Sequence, residues 1–384
     1  MTAASTAKQV RIVCIGGDLN GGGAEHVQLD LLRRMNRGVF DIQLIYLRDS
    51  GDLHAFLPRG IEAHYLSSGR SKRLLNVVSA LRKLWRLTRN ADLVFGMQEC
   101  GPVYLSVLIA VILRKPVIGW VHAPASSAMI DLAPWHRVVG PPLYRRANCL
   151  VGVSQGVVDD LYRSYGIELN RLSTIYNPID IRQVRAEAID PLSVEHAHWF
   201  VKPSILGIGR LVKEKRFDIL IRAFAQEVHR GIDCHLILLG KGPEHLKLES
   251  LARELGVAAR VFFAGFQMNP YPFIRAANVL AVSSDYEGLG MVLLEAMAIG
   301  TPVISTDCPS GPREILEEGH NGILVSVGDW ESLGAAIARM LSCHGERARF
   351  IARGFRRVEE FEIERQVERW EELLLKVTCK AQKG

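Results

Sequence analysis

Two glutamates within one short and nearly uncharged stretch are the residues of this chain best suited to chemistry. The stretch runs from Ser284 to Thr301 (SDYEGLGMVLLEAMAIGT) and holds only one charge besides Glu287 and Glu295. Its glycines predict that Glu287 lies in a loop and that a short helix begins near Gly290 and ends at Gly300.

The predicted helix has two features that matter for binding. Its first turn, at Met291 and Val292, would offer unpaired backbone N–H groups, which suit a phosphate. The helix is apolar nearly all round, so we expect it to be buried, and a lone buried carboxylate is costly unless something satisfies it. Glu295 is therefore either an internal cap or ion-pair partner, or a ligand-binding group.

Two cations follow another predicted strand. Arg210 and Lys215 stand in the turn after Ser204–Ile208, beside Gly209, and could neutralise a diphosphate. The alternative is an ordinary basic surface loop. No two aspartates stand two positions apart, so the chain lacks a DxD metal clamp, and its histidines lack metal-binding spacing. A departing diphosphate would then depend on protein cations.

Two further features lie in the first half of the chain. His122 follows the predicted strand Pro116–Val121, and ligands of open α/β sheets gather at the carboxyl ends of strands. The alternative for His122 is a structural hydrogen bond. The loop at Gly21–Gly23 follows the predicted strand Val10–Ile15 and can bring backbone close to phosphate or sugar.

The chain is long enough for two domains, since it has 384 residues. Strands and helices alternate in both halves, which predicts an α/β protein with two doubly wound, Rossmann-like domains and parallel sheets facing across a cleft. We place an N-terminal domain at residues 1–190, a second domain at 191–354 and C-terminal helices at 355–384 that pack back on the first domain.

Several sequence features concern the location of the protein. The N-terminus has no apolar signal core, and the longest apolar run, Val103–Leu113, is too short to span a bilayer. The seven cysteines form no CxxC pair, and we expect them to be reduced and buried in a cytosolic chain. These features predict a cytoplasmic protein, either soluble or peripheral on a membrane.

A basic amphipathic helix is predicted over residues 70–89. It carries seven Lys or Arg residues and no acid, with apolar residues such as Leu81, Leu84 and Trp85 on the other side. This pattern fits an anionic membrane surface, but it also fits a helix packed on a sheet with a solvated basic face. No zinc-finger or aromatic–basic RNA-binding pattern occurs, so we expect no nucleic-acid partner.

In combination, these motifs resemble those of family 4 glycosyltransferases. The resemblance covers nearly the whole chain and is most specific in the C-terminal half. The matching motifs, in the family's order, are Gly22-Gly23-Ala24-Glu25, Asn177-Pro178-Ile179-Asp180, Gly209-Arg210-Leu211 with Lys215, Gly240-Lys241-Gly242-Pro243, Glu287 to Glu295, Gly300-Thr301-Pro302-Val303 and Asn321-Gly322. The resemblance implies a GT-B fold, with the nucleotide-sugar donor on the second domain and the acceptor on the first. It also implies transfer with retention of anomeric configuration and without a metal ion or other cofactor.

The resemblance implies a role for each matching residue. Arg210 and Lys215 would contact the donor diphosphate, Glu287 the donor sugar, and His122 the sugar from the opposite domain. Glu295 would hold the ribose hydroxyls. The donor-binding residues would be Gly22, Gly23, Gly209, Phe266, Gly290, Met291, Val292 and Glu295. The chain has Lys215-Arg216 where many relatives have Lys-Gly, which we expect to alter the loop and not the diphosphate site.

The segment Cys308–Glu314 (CPSGPRE) is similar to members that build bacterial surface polysaccharides, such as lipopolysaccharide or capsule, on lipid carriers. The leading hypothesis is therefore a hexose or N-acetylhexosamine transferase with a UDP-linked donor and a polyprenyl-diphosphate-linked glycan acceptor. A sugar-nucleotide epimerase of similar architecture and a non-catalytic nucleotide-sugar-binding subunit are the alternatives.

Overall fold

The chain divides into two compact units. The computed structural model describes residues 9–20, 22–67, 74–128 and 134–383, with the backbone alone given for 74–77, 128, 382 and 383. The first unit comprises the chain up to Pro178 and again from Ile363, and the second unit is Ile179–Glu362. A parallel bridge joins Ile179 to Glu362, so the two segments at which the chain passes between the units run side by side.

These boundaries differ from those predicted at residues 190 and 355. Residues 179–190 belong to the second unit because their helix, Ile181–Glu187, packs against two helices of that unit. The guanidinium of Arg185 in this helix donates a 2.8 Å hydrogen bond to the carbonyl of Ala298. Of the predicted C-terminal segment, only the part from Ile363 onwards belongs to the first unit.

The first unit is built on a seven-stranded parallel sheet. Its elements are β1 (Val10–Gly16), α1 (Gly23–Arg34), β2 (Phe40–Arg48), β3 (Glu62–Ser67), α2 (Leu74–Thr88), β4 (Leu93–Gly96), α3 (Gly101–Leu113), β5 (Val117–Val121), α4 (Ala125–Ala128), α5 (Trp135–Tyr144), β6 (Cys149–Gly152), α6 (Gln155–Tyr165) and β7 (Leu172–Thr174). The strand order is β3-β2-β1-β4-β5-β6-β7. Every residue of β4, β5 and β6 is buried, which explains why these strands read as continuous apolar runs.

The second unit is built on a six-stranded parallel sheet. Its elements are α7 (Ile181–Glu187), α8 (Val194–Ala197), β8 (Ser204–Ile208), α9 (Phe217–His229), β9 (His235–Leu239), α10 (His245–Glu254), β10 (Val261–Gly265), α11 (Tyr271–Ala276), β11 (Val279–Val282), α12 (Met291–Ile299), β12 (Val303–Thr306), α13 (Pro312–Leu316), β13 (Ile323–Val325), α14 (Trp330–Ser342) and α15 (His344–Val358). The strand order is β10-β9-β8-β11-β12-β13. The predicted pair of doubly wound parallel sheets is confirmed.

The final helix, α16 (Ile363–Lys383), returns to the first unit. It contacts α1, and the ring of its buried Trp370 lies 5.0 Å from that of Phe95 and 4.7 Å from that of Trp120. Since Phe95 and Trp120 lie in β4 and β5, the helix covers the centre of the first sheet.

The predicted basic helix corresponds in part to α2. Arg70, Lys72 and Arg73 lie outside the described residues, and the helix begins at Leu74. Leu84 is buried, but Leu81 and Trp85 are about half exposed, at 52% and 45%. The apolar side predicted from the sequence is therefore divided between the protein core and the solvent.

All seven cysteines are free thiols. Four are buried and Cys100 is partly buried, but Cys343 and Cys379 are exposed, contrary to the expectation that all are buried. Cys343 directly follows α14, and Cys379 lies within α16, close to the end of that helix. Among the described residues, no helix has both the length and the hydropathy needed to cross a membrane.

Candidate active site

The predicted catalytic residues of the second unit lie beside the point at which its strand order reverses. The first strand of this sheet, β8, has β9 on one side and β11 on the other. Ligands of open α/β sheets bind at such a switch point, at the carboxyl ends of the strands. Lys215 lies in the loop after β8, and Glu287 lies in the loop after β11. The topology therefore brings these two loops to the same edge of the sheet.

Lys215 and Glu287 form an ion pair. The Nζ atom of Lys215 donates to Oε1 of Glu287 over 2.6 Å, and the hydroxyl of Ser284 donates to the same oxygen over 2.7 Å. Both ionic side chains are largely withdrawn from solvent, with 22% of Lys215 and 12% of Glu287 exposed. Electrostatic interactions are stronger in such a partly desolvated position than at the surface. The site thus holds an ammonium and a carboxylate at hydrogen-bonding distance from each other.

The loop after β8 is supported by the turn at Gly240–Gly242. The N–H of Leu211 donates to the carbonyl of Lys241 over 2.9 Å, and the N–H of Glu244 donates to the carbonyl of Leu211 over 3.0 Å. A side chain at Gly240 would place its Cβ 1.8 Å from the carbonyl oxygen of Gly209. Glycine is needed at Gly240 because the two backbones touch there.

The loops after β8 and β11 are also joined directly. The hydroxyl of Ser283 donates to the carbonyl of Lys215 over 2.9 Å, and the N–H of Asp285 donates to the carbonyl of Glu214 over 2.8 Å. Arg216 has a left-handed backbone (φ 48°), and its guanidinium donates to the carboxylate of Asp285 over 3.0 Å. Arg216, the departure from the family pattern, therefore links the two loops that hold Lys215 and Glu287.

The segment Cys308–Glu314 supports the Glu287 loop from its other side. The hydroxyl of Ser310 donates a short hydrogen bond to the carbonyl of Glu287. Gly311 has φ 79°, and a Cβ there would lie 2.1 Å from the carbonyl oxygen of Leu289. This segment therefore shapes the loop that presents Glu287.

Glu295 lies in α12, which begins after Gly290 and ends before Gly300, as predicted. Gly290 has a left-handed backbone (φ 96°), and no side chain caps the helix. Burial raises the pKa of the Glu295 carboxyl to about 7. Within the described residues, no hydrogen bond or ion pair reaches that carboxyl, so the structure contains neither the internal cap nor the ion pair that was the alternative to ligand binding.

Two further predicted site residues of this unit, Arg210 and Phe266, are more exposed, whereas Gly209, Met291 and Val292 are partly buried and Gly290 is buried. The side chain of Arg210 is 74% exposed and is 3.3 Å from Glu214. In the described part of the chain, no hydrogen bond or ion pair joins Arg210 to Lys215. Phe266 follows β10 and is 49% exposed. Arg210 and Phe266 are thus available to a ligand but are not fixed by the site.

In the first unit, His122 follows β5 and is held from several sides. Its Nε2 is 3.0 Å from the carbonyl oxygen of Met97, which assigns the proton to Nε2, and its backbone N–H donates to Glu99 over 2.9 Å. Its Nδ1 is buried and has no partner among the described residues. Burial lowers the pKa of the His122 imidazole to about 4. His122 is therefore neutral near pH 7, and one acceptor nitrogen is unused.

The glycine loop of the first unit precedes α1. Gly22 is the N-terminal boundary residue of this helix, Gly23 is its first residue, and Gly21 lies outside the described residues. A Cβ at Gly22 would meet the carboxylate of Glu25, whereas a Cβ at Gly23 would meet no atom within 4 Å. Glu25 in turn accepts a 3.0 Å hydrogen bond from the side chain of Gln98.

Sequence reasoning missed three residues that position the site. Ser284 and Ser310 hold Glu287, and Glu99 holds the backbone of His122. Ser284 lies within the stretch Ser284–Thr301 that was predicted to carry out chemistry. Its position three residues before Glu287 could have predicted the hydrogen bond.

Among the described residues, no group of three or more His, Cys, Asp or Glu side chains is placed to hold a metal ion.

Two family profiles match the chain, one in each half. Residues 21–183 match "Glycosyltransferase Family 4", and residues 200–357 match "Glycosyl transferases group 1". The chain belongs to the family 4 glycosyltransferases. The second match lies within the second unit and includes four predicted site residues, namely Arg210, Lys215, Glu287 and Glu295.

Two curated relatives illustrate the range of similarity. The N-acetylgalactosamine-N,N'-diacetylbacillosaminyl-diphospho-undecaprenol 4-alpha-N-acetylgalactosaminyltransferase of Campylobacter jejuni is 27% identical over 336 residues, which is 84% of this chain and 88% of that protein. The lipopolysaccharide core biosynthesis glycosyltransferase LpsE of Rhizobium meliloti is 41% identical over 152 residues, or 40% of this chain and 43% of that protein. This chain is therefore similar to transferases that assemble bacterial glycans.

A solved structure supports the assignment of the fold. Anabaena HepE, crystallised in complex with UDP, superposes with a TM-score of 0.80 at 21% identity, covering 96% of this chain and 100% of that one. At this identity the similarity concerns the fold, which is the GT-B arrangement of two Rossmann-like domains predicted from the sequence.

Proposed function

We propose that the protein is a retaining, metal-independent glycosyltransferase with a UDP-linked hexose or N-acetylhexosamine donor. Its acceptor would be a polyprenyl-diphosphate-linked glycan of bacterial surface polysaccharide biosynthesis, at the cytoplasmic face of the membrane. The observation that carries this proposal is the Lys215–Glu287 ion pair at the switch point, in the unit whose α12 also holds the unpartnered carboxyl of Glu295.

Each group has a role that its chemistry favours. The ammonium of Lys215 neutralises charge that develops on the departing diphosphate, an interaction that is strongest as the bond breaks. Glu287 accepts hydrogen bonds from hydroxyls of the donor sugar, and Glu295 accepts hydrogen bonds from the ribose. Arg210 is exposed and can turn towards the diphosphate when the donor binds.

The transfer step needs no separate base in this scheme. The bond between the anomeric carbon and the diphosphate oxygen breaks, and a bond from the acceptor oxygen to the same face of that carbon forms. The proton of the acceptor hydroxyl passes to the departing phosphate oxygen. Protein cations stabilise the product diphosphate, which is the task that a metal ion performs in other transferases.

The choice of substrates is supported by relatives. The Campylobacter jejuni relative is named for a diphospho-undecaprenol acceptor, and HepE was crystallised with UDP. The segment Cys308–Glu314, which resembles that of polysaccharide-building members, shapes the Glu287 loop and thereby influences the donor-sugar site.

The test begins with donor binding by calorimetry across a panel of nucleotide sugars. Mass spectrometry then follows transfer of the bound donor's sugar to polyprenyl-diphosphate-linked glycans. Lys215→Ala should lower kcat by about 10²–10³-fold, since it removes a charge contact made in the transition state. Lys213→Ala is the matched control, because Lys213 lies in the same loop and is exposed. Near-normal turnover by Lys215→Ala would contradict the assignment.

Two further measurements complete the test. Nuclear magnetic resonance of the product reports whether the anomeric configuration is retained, and chelator treatment reports whether a metal ion is needed. An inverted product or loss of activity with chelator would refute that part of the proposal. A new hexose formed from donor and protein alone would indicate the epimerase, and donor binding without turnover on any acceptor would indicate the non-catalytic subunit.

A further inference from the structure

Three neighbouring helices of the first unit expose large apolar side chains to solvent. Helix α3, which follows β4, contacts both α2 and α5. The most informative exposed residues are Leu81 and Trp85 of α2, Leu108 and Ile112 of α3, and Trp135 and Val138 of α5. We call this surface the α2–α3–α5 face. Contiguous exposed apolar surface on a folded protein marks an interaction site.

The charge on this face has one sign. None of the three helices contains an acidic residue. Basic residues lie within them or directly after them, namely Arg82, Lys83, Arg86, Arg89, Arg114, Lys115, Arg137, Arg145 and Arg146. An apolar surface bordered by Lys and Arg fits an anionic surface with an apolar interior.

A groove beside α2 adds a place for a polar headgroup. It encloses about 480 Å³ between β3 and α2, and its lining includes His64, Lys83 and Arg86. Arg86 is exposed, and Lys83 is anchored by a 2.9 Å hydrogen bond from its Nζ to the carbonyl of Tyr65. The groove thus places two cations on α2, the helix that also exposes Leu81 and Trp85.

We propose that the α2–α3–α5 face docks on an anionic phospholipid membrane. Ile112 and Val138, which are 70% and 73% exposed, would enter the headgroup–acyl boundary. Trp85 and Trp135 would lie at the interface, where tryptophan is favoured. The face deepens the proposed function by naming the surface that approaches a membrane-borne acceptor, but docking itself requires no sugar transfer.

The same charges disfavour a second copy of the chain as the occupant. A two-fold interface would place identical surfaces against each other, and the basic residues around Arg82 and Arg86 would then repel. Phosphatidylglycerol and similar lipids supply the opposite charge and an apolar layer together. A membrane therefore satisfies both properties of the face.

The experiment measures sedimentation of the full chain with vesicles, using pure phosphatidylcholine or phosphatidylcholine mixed with phosphatidylglycerol. We expect binding to the mixed vesicles that weakens as salt is raised. Arg82→Glu/Arg86→Glu should weaken binding by about tenfold or more. Ile112→Ser/Val138→Ser should weaken it several-fold by removing apolar contact.

Matched controls carry the same changes elsewhere. Arg222→Glu/Arg253→Glu alters two exposed arginines of the second unit, and Val194→Ser/Leu246→Ser alters two exposed apolar residues of that unit. Both controls should bind vesicles as the unaltered chain does. Retained UDP binding by each variant, measured by calorimetry, reports an intact second unit, and the circular-dichroism melting temperature reports the folding of the first.

A second readout locates the contact. Trp85 and Trp135 are the exposed tryptophans among the described side chains. Brominated lipids should therefore quench the tryptophan fluorescence of the unaltered chain. They should quench the fluorescence of Trp85→Phe/Trp135→Phe much less. Equal binding to both vesicle types, binding unaffected by the face variants, or a dimer that those variants dissociate would each overturn the proposal. None of these outcomes would affect the donor-site assignment, which Lys215→Ala tests separately.

Discussion

The Nζ atom of Lys215 lies 2.6 Å from Oε1 of Glu287, although 72 positions separate the two residues in the sequence. The pairing arises because β8 and β11 are neighbours in the sheet. The chain leaves β8 towards β9 on one side and leaves β11 towards β12 on the other, so the loops after β8 and β11 meet at the same edge. In the absence of donor each charge is neutralised by the other. In the proposed function, a bound diphosphate would share Lys215 with Glu287, which would couple recognition of the diphosphate to the position of the carboxylate proposed to bind the sugar.

Ser284→Ala should weaken catalysis through Glu287. The variant removes the 2.7 Å hydrogen bond that fixes the carboxylate, and a hydrogen bond to a charged group contributes about 1.5–3 kcal/mol. We expect kcat/KM to fall by about 10–100-fold with the affinity for UDP unchanged, because UDP lacks the sugar. Ser332→Ala, at an exposed serine, is the control. Equal loss of UDP affinity would show that Ser284 supports the nucleotide site instead.

Donor affinity should depend on pH through Glu295. Its carboxyl has a pKa of about 7 in the free protein because burial disfavours the charge, whereas ribose hydroxyls donate to the ionised form. Affinity should therefore rise with pH up to about 7 and then level off, falling by about tenfold per pH unit below that value. Calorimetry with uridine in place of UDP avoids titration of the phosphates. A pH-independent affinity in the unaltered chain would contradict this role.

Glu295→Gln should stabilise the free protein while weakening donor binding. The pKa of Glu295 is above its usual value in the folded state, so the folded state takes up a proton, and stability decreases as pH rises from about 4.5 to about 7. Glutamine removes this penalty, so the variant's advantage in melting temperature should grow over that range and then stay constant. Each kcal/mol recovered should raise Tm by roughly 2–4 °C. A lower melting temperature at pH 8 would mean that Glu295 has a structural partner.

Gly311→Ala should disturb both stability and activity. The new Cβ would lie 2.1 Å from the carbonyl oxygen of Leu289, in the loop that carries Glu287. Gly328→Ala is a matched control, since Gly328 has the same φ of 79° but no atom within 4 Å of its Cβ position. The control should lose about 1 kcal/mol from backbone strain alone, and Gly311→Ala should lose more and also turn over more slowly. Equal effects of the two substitutions on turnover would show that the contact with Leu289 does not shape the site.

The local features of the second unit could be predicted from the sequence. Glycines at 290 and 300 gave the limits of α12, because a left-handed backbone is favoured for glycine, and the structure has φ values of 96° and 97° there. The apolar surroundings of Glu295 indicated that its side chain is withdrawn from solvent, and the structure has this residue partly buried. Both inferences concern neighbours along the chain, for which residue type and spacing determine the environment.

Contacts between segments distant in the sequence were harder to predict. The ion pair of Lys215 with Glu287 depends on strand order, which no single segment encodes. Arg216 was expected to change its own loop alone, but its side chain reaches Asp285, 69 positions away. The domain boundary was predicted at residue 190 because residues 190–203 break the alternation, whereas packing of α7 places it before Ile179.

The return of α16 to the first unit has a consequence for biosynthesis. The rings of Phe95 and Trp120 are covered by Trp370, which the ribosome adds only after the whole second unit. At usual rates of synthesis the delay between residues 120 and 370 is roughly 10–50 s. During that interval the nascent first sheet carries an uncovered aromatic patch, so the part of the protein that is made first is the part that is completed last.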